Sequence, residues 1–69
     1  MPQPECAFTM CRMNCRYVFL FLKYGSNYTV QLKYLPAVKG GKYTIIQTFN
    51  VPQSNLQTFI NTVVASYTQ

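Results

Sequence analysis

The sequence predicts an α+β fold: a three- or four-stranded antiparallel meander, then one C-terminal amphipathic helix packed on one sheet face. Three observations carry this. Tyr28, Val30, Leu32 and Tyr34 alternate with Thr29, Gln31 and Lys33, the period-two pattern of a half-buried strand. Other β-rich runs flank this one, separated by Gly, Asn and Pro. Near the end the period changes: Leu56, Phe59, Ile60, Val63, Val64 and Tyr67 form one apolar stripe at helical spacing. With 69 residues the chain is a single small domain, 1–69, whose core is near the lower limit for independent stability.

Residues 1–15 are ambiguous. At period two, Cys6, Phe8 and Met10 share a side and make a fourth strand; at period 3.6, Phe8, Cys11 and Cys15 share a helix face. Phe, Thr and Cys favour the strand. Strands are expected within 16–49. Arg16 to Lys23 is apolar on both alternating faces and bounded by charges, as in a strand covered on both sides or used for binding on one. Tyr24-Gly25-Ser26-Asn27 supplies a turn. Pro36 stops the second strand, Lys39-Gly40-Gly41-Lys42 makes a flexible basic loop, and Tyr43 to Phe49 is a further strand ended by Asn50-Val51-Pro52. The helix is expected over 53–68, with Ser54 and Gln57 as a capping box. Its threonines and valines are mediocre helix formers, so packing on the sheet must stabilise it.

Composition narrows the function classes. The chain has six basic residues, one acidic residue (Glu5) and no histidine, for a net charge of +5. General acid–base chemistry has almost no material, and no nucleophile has a candidate base, so an enzyme is not expected. Half the residues are apolar and eleven (six Tyr, five Phe) are aromatic, which argues against disorder. No apolar run reaches the roughly 18–20 residues of a membrane-spanning helix. Met1-Pro2-Gln3-Pro4-Glu5 has neither the basic nor the apolar region of a secretory signal, so an intracellular protein is expected, cytoplasmic, nuclear or within an infected host cell.

Cys6, Cys11 and Cys15 lie in the first fifteen residues. Three clustered cysteines make no disulfide framework across a fold, and their spacing, with no histidine, fits no common zinc site. They read as buried or partly buried thiols in a reducing compartment, or as an intermolecular disulfide or shared metal at a dimer axis. No metal or cofactor is assigned. Asn27-Tyr28-Thr29 matches a glycosylation acceptor, which has force only in a secreted protein, and reads as a turn.

Charge is divided by position. Arg12, Arg16, Lys23, Lys33, Lys39 and Lys42 hold all the positive side chains, and from Tyr43 onward there is no charge. The uncharged outer side of the helix suits a protein interface, or follows a general Tyr, Thr, Gln, Asn and Ser texture found in some viral proteins. In the first strand after residue 15, Tyr17, Phe19, Phe21 and Lys23 alternate with Arg16, Val18, Leu20 and Leu22. If the aliphatic set faces the helix, three aromatics stand exposed beside Lys23 and Lys33, a platform on which bases stack while phosphates meet lysines. The alternative places Tyr17, Phe19 and Phe21 in the core or a dimer interface. Lys39 and Lys42 around a glycine pair can follow a phosphate backbone, or make a plain hairpin connection.

From Arg16 on, Arg16-Tyr17-Val18, Leu22-Lys23-Tyr24, a polar turn, an alternating strand with Lys33, a basic loop, a strand and a helix resemble the Alu-domain subunits of the signal recognition particle. That resemblance implies contact of Arg16, Lys23, Lys33 and the 39–42 loop with structured RNA in a heterodimer. The four-strand order resembles the coactivator and whirly type of single-strand DNA binder, a sheet-plus-helix unit that dimerises. The expected function is a small basic module for single-stranded DNA or RNA, most simply a dimer, using Arg16, Lys23, Lys33, Lys39, Lys42, Tyr17, Phe19 and Phe21. The alternative is a structural or interaction component, assembling through its uncharged helix and aromatic strand. No membrane or small-molecule partner is expected.

Overall fold

A computed structural model describes residues 5–67, and side chains from residue 7; positions 1–4 and 68–69, and with them the ends of the 1–15 and 53–68 spans, lie outside the described residues. Four strands run in chain order across one antiparallel sheet: β1 (Glu5–Arg12), β2 (Tyr17–Tyr24), β3 (Asn27–Tyr34) and β4 (Thr44–Pro52). A single helix, α1 (Leu56–Thr62), follows between two short 3₁₀ turns. The ambiguous first segment is therefore a strand, and β4 reaches Pro52, beyond the expected end at Phe49.

The two-residue turn Gly25-Ser26, with Gly25 at φ +59°, places Tyr24 opposite Asn27 and so Phe21 opposite Val30 and Phe19 opposite Leu32. Paired residues in an antiparallel sheet share a face. Phe19 and Phe21 must therefore lie with Tyr28, Val30 and Leu32, the set that packs on the helix. All five are buried, joined by Val51 of β4, Phe59 of α1 and Val64 just after it. Phe8 stacks on Phe21 at 4.3 Å between ring centres, while Phe59 meets Phe21 and Phe49 edge-on at 6.2 and 5.1 Å.

The helical stripe is as expected: Leu56, Ile60, Val63 and Tyr67 pack against this core together with buried Phe59 and Val64. The helix itself is shorter than 53–68. Ser54 lies in the 3₁₀ turn Gln53–Asn55, Asn55 takes the cap position, and neither makes a side-chain cap bond. Gln57 donates instead to Asn61, one turn on, at 3.0 Å. After Thr62 the β-branched pair Val63-Val64 disfavours further helix, and the chain tightens into a 3₁₀ turn, Val64–Ser66. Tyr67 then leaves in extended conformation, which carries its ring onto Tyr17 (4.9 Å) and Phe19 (5.3 Å).

One helix on one sheet gives a slab with extents of 38 × 28 × 16 Å. No described element packs on the opposite face, where Val18, Leu20, Leu22, Thr29, Gln31 and Lys33 stand half-buried by their neighbours and Ile45 is 52% exposed. No helix among the described residues is long and apolar enough to cross a membrane.

The cysteine expectation needs correction. Cys11 and Cys15 are exposed, not buried thiols, and are bonded to each other across the β1–β2 turn, with 4.5 Å between their Cα atoms. Their bridge spans a turn in which Met13, Asn14 and Cys15 all take positive φ, 55° to 61°, a conformation that costs an L-residue roughly 1–2 kcal/mol. The side chain of Cys6 lies outside the described ones. Closing so short a loop stabilises by about 2 kcal/mol in the chain-entropy account. Reduction with a phosphine reductant is therefore expected to lower stability by about 2 kcal/mol in a urea titration, and an unchanged midpoint would show that Cys11 and Cys15 act as free thiols.

Candidate nucleic-acid interface

The meander gathers charge at one end of the sheet. β1 ends and β2 begins there, β3 ends and β4 begins there, so the turn after Arg12 and the loop after Tyr34 are neighbours. Its last rung pairs Arg12 with Tyr17, Tyr17 with Tyr34, and Tyr34 with Thr44. Two ties join the turn to the loop: the Tyr43 hydroxyl donates to the Cys15 carbonyl, and Leu35 N–H donates to the Arg16 carbonyl at 2.9 Å.

Five cations belong to this end: Arg12, Arg16, Lys33, Lys39 and Lys42. Arg12 donates to the carbonyl of Cys11, the residue before it, at 3.0 Å. Arg16 is half-buried and its Nη1 donates to the Leu35 carbonyl at 3.1 Å. It clamps the loop, with its remaining guanidinium donors left over for an anion. Lys33 lies on the open face between Val18 and Ile45, its partners on either side, so its aliphatic stem covers apolar surface while the ammonium reaches water. Lys39 and Lys42 are exposed. The glycines between them shape the loop: Gly41 N–H donates to the Val38 carbonyl at 3.0 Å, and a Cβ at Gly41 would meet the Pro36 and Val38 carbonyl oxygens at 3.1 Å. The loop is a formed turn that displays two lysines.

Lys23 does not join the cluster. It pairs with Glu5 and Tyr28 at the other end of the sheet, about 20 Å away along a strand rising roughly 3.3 Å per residue. That exceeds the Debye length of about 8 Å at physiological salt, so Lys23 adds little to the field at the basic end. Glu5, the chain's one acidic residue, has its backbone at that far end too. The positive end thus has no acidic residue built into it.

The aromatic platform is overturned. Phe19 and Phe21 are 0% exposed, because the hairpin register puts them under the helix, and the aliphatic set Val18, Leu20 and Leu22 faces outward instead. Tyr17 is half-buried beneath Tyr34, 5.0 Å away, and Tyr67. It borders the basic end with its ring packed between these two, on the face the helix covers. The exposed aromatic at this end is Tyr43, 43% exposed, which in sequence looks like the first residue of a strand. Its signal was its position one residue after Lys42. Arg12, like Tyr43, lies outside the candidate residues that the sequence predicts.

Among the described residues no group of three or more His, Cys, Asp and Glu comes together to hold a metal. No protein-family profile matches the chain, and neither a curated protein nor a solved structure shows significant similarity to it.

Proposed function

We propose that the chain is a small non-enzymatic module that binds the phosphate backbone of single-stranded DNA or RNA through the basic end of its sheet. The observation that supports this most is the gathering of Arg12, Arg16, Lys33, Lys39 and Lys42 at one end, with the single acidic residue at the other. With Phe19 and Phe21 in the core, the contact is electrostatic and sequence-tolerant, and the exposed Tyr43 ring beside the loop is the candidate for stacking on a base. The likeness to coactivator and whirly-type binders rests on the β-β-β-β-α element order and on nothing more specific, so it is an analogy of fold that carries no function by itself. The Alu-domain likeness covers the chain only from Arg16 on and leaves β1 without a counterpart. An intracellular setting goes with a nucleic-acid partner; the cysteine pair, which persists in oxidising surroundings, speaks the other way.

Neutralising five phosphates on a single strand predicts a slope of log affinity against log salt of about −3.5, hence roughly a hundredfold loss between 50 and 200 mM salt. A filter-binding titration against mixed-sequence DNA and RNA oligonucleotides at these two concentrations measures it. Affinity weaker than micromolar with no salt slope overturns the reading.

A second reading is favoured by a separate observation. The outer sheet face, with Val18, Leu20, Leu22 and Ile45, and the uncharged exterior from Tyr43 on suit a structural or interaction component that assembles with copies of itself or with partners. With Phe19 and Phe21 in the core, the aromatic strand does not serve that role. Sedimentation separates the two, since a monomer at all concentrations that binds nucleic acid fits the first alone.

A further inference from the structure

We propose that β4 is a docking edge for β4 of a second copy of this chain, paired antiparallel so that two four-stranded sheets become one of eight. The proposal rests on the assembly reading above and names its surface and partner. Both β1 and β4 are sheet edges, and an edge presents a row of unpaired N–H and C=O groups that folded monomers guard with charges, prolines, bulges or short strands. β1 is guarded: it holds Glu5 and Arg12, a bulge between Cys6 and Phe8, and a disulfide at its end. β4 is not. It is nine residues long without one charge. Its bulge lies near one end, opposite Leu32 and Lys33, and its only proline is the last residue, which leaves Gln47 to Val51 regular and open.

A second copy of the chain is the occupant because it brings a matching edge, nine residues long and without a charge, and the placement of the basic residues lets the two edges meet. Two chains of net +5 repel wherever their basic residues meet, and every one of these lies between Arg12 and Lys42. Antiparallel pairing of β4 about its middle sets each basic end beside the partner's Pro52 end, so the two positive ends lie at opposite extremes, beyond a Debye length. A two-fold pairing is also self-complementary by construction.

A strand pair of this length buries only roughly half of the 800 Å² per partner typical of a stable interface. A groove of about 330 Å³ between β4 and α1, lined by Asn50, Val51, Pro52, Thr58, Phe59 and Thr62, opens beside that edge and gives the partner's side chains further surface. A dimer in the micromolar range is expected.

Sedimentation velocity from 5 to 500 µM at 0.15 M salt tests this, with hydrogen exchange on the same samples. The expected result is a monomer–dimer equilibrium in which the β4 amides directed away from β3 gain protection with concentration. The double variant Thr48→Lys, Asn50→Lys, at two exposed positions, is expected to raise the dissociation constant more than tenfold. A monomer at 500 µM overturns this proposal and the assembly reading together. A dimer that the double variant leaves intact but Leu20→Lys abolishes overturns the edge and keeps the assembly reading. Hydrogen exchange on the unmodified chain decides the matter even where a variant fails to fold: concentration-independent exchange in β4 overturns the edge.

Discussion

Phe19→Ala or Phe21→Ala is expected to destabilise the protein by about 3–5 kcal/mol, the range for removing a buried phenylalanine. A domain of this size has a total stability of roughly 3–10 kcal/mol, so either variant is expected to lose from about a third to all of it and to shift the urea midpoint steeply downward. Both rings are fully buried in the centre of the sheet. Phe19 touches Tyr67 and Phe21 touches Phe8 and Phe59, so truncation leaves a cavity that a one-helix slab has few other side chains to fill. Leu20→Ala, between them on the open face, is expected to cost about 1 kcal/mol, because that side chain is only half-buried. Circular dichroism with urea titration measures all three. A folded Phe19→Ala protein that had lost nucleic-acid binding would reinstate the stacking platform in place of the core assignment.

The second large effect concerns the basic end. The triple variant Lys33→Gln, Lys39→Gln, Lys42→Gln is expected to bind a single strand about a hundredfold more weakly at 0.1 M salt, with a salt slope shallower by about 2. Each phosphate contact on a single strand contributes about 0.7 to the slope, which at 0.1 M is roughly a factor of five. Lys23→Gln, at the opposite end of the sheet, is expected to change affinity less than twofold. Fluorescence anisotropy with a labelled oligonucleotide at several salt concentrations reads both quantities. Equal losses in Lys23→Gln and in a single Lys39→Gln variant would mean that net charge, not the gathered end, governs binding.

Much of the fold was legible because strand and helix periods are local. The alternation of Tyr28 to Tyr34 and the stripe from Leu56 to Tyr67 each identify a buried face without knowledge of anything else. The helix boundaries were less legible: Ser54 and Gln57 have the spacing of a capping box, yet Pro52 leads into a 3₁₀ turn and Asn55 takes the cap position instead. For Arg16 to Lys23 both faces are apolar, so local pattern could not choose between Phe19 with Phe21 and Leu20 with Leu22. The deciding signal was present but non-local, since a two-residue turn at Gly25-Ser26 sets the register and transfers the inward face of β3 to β2.

The candidate site was legible as composition and not as place. That positive charge stops at Lys42 is plain from the chain, but Lys23 and Lys39 look alike there. Only the meander separates them, by sending Lys23 to one end of the sheet and Lys39 to the other. Cys11 and Cys15, four positions apart, gave no sign of pairing until three successive positive-φ residues brought their Cα atoms to 4.5 Å.

By itself, then, the sequence determined the α+β class, the inward faces of β3 and of the helix, and a basic half followed by a neutral one. These follow from short-range periodicity and from counting. Tertiary structure decided which face of β2 is core, that five cations share one end while Lys23 does not, and that an uncharged β4 lies at the sheet edge. Each of these depends on which strands pair and in what register, and pairing is a relation between residues far apart in the chain.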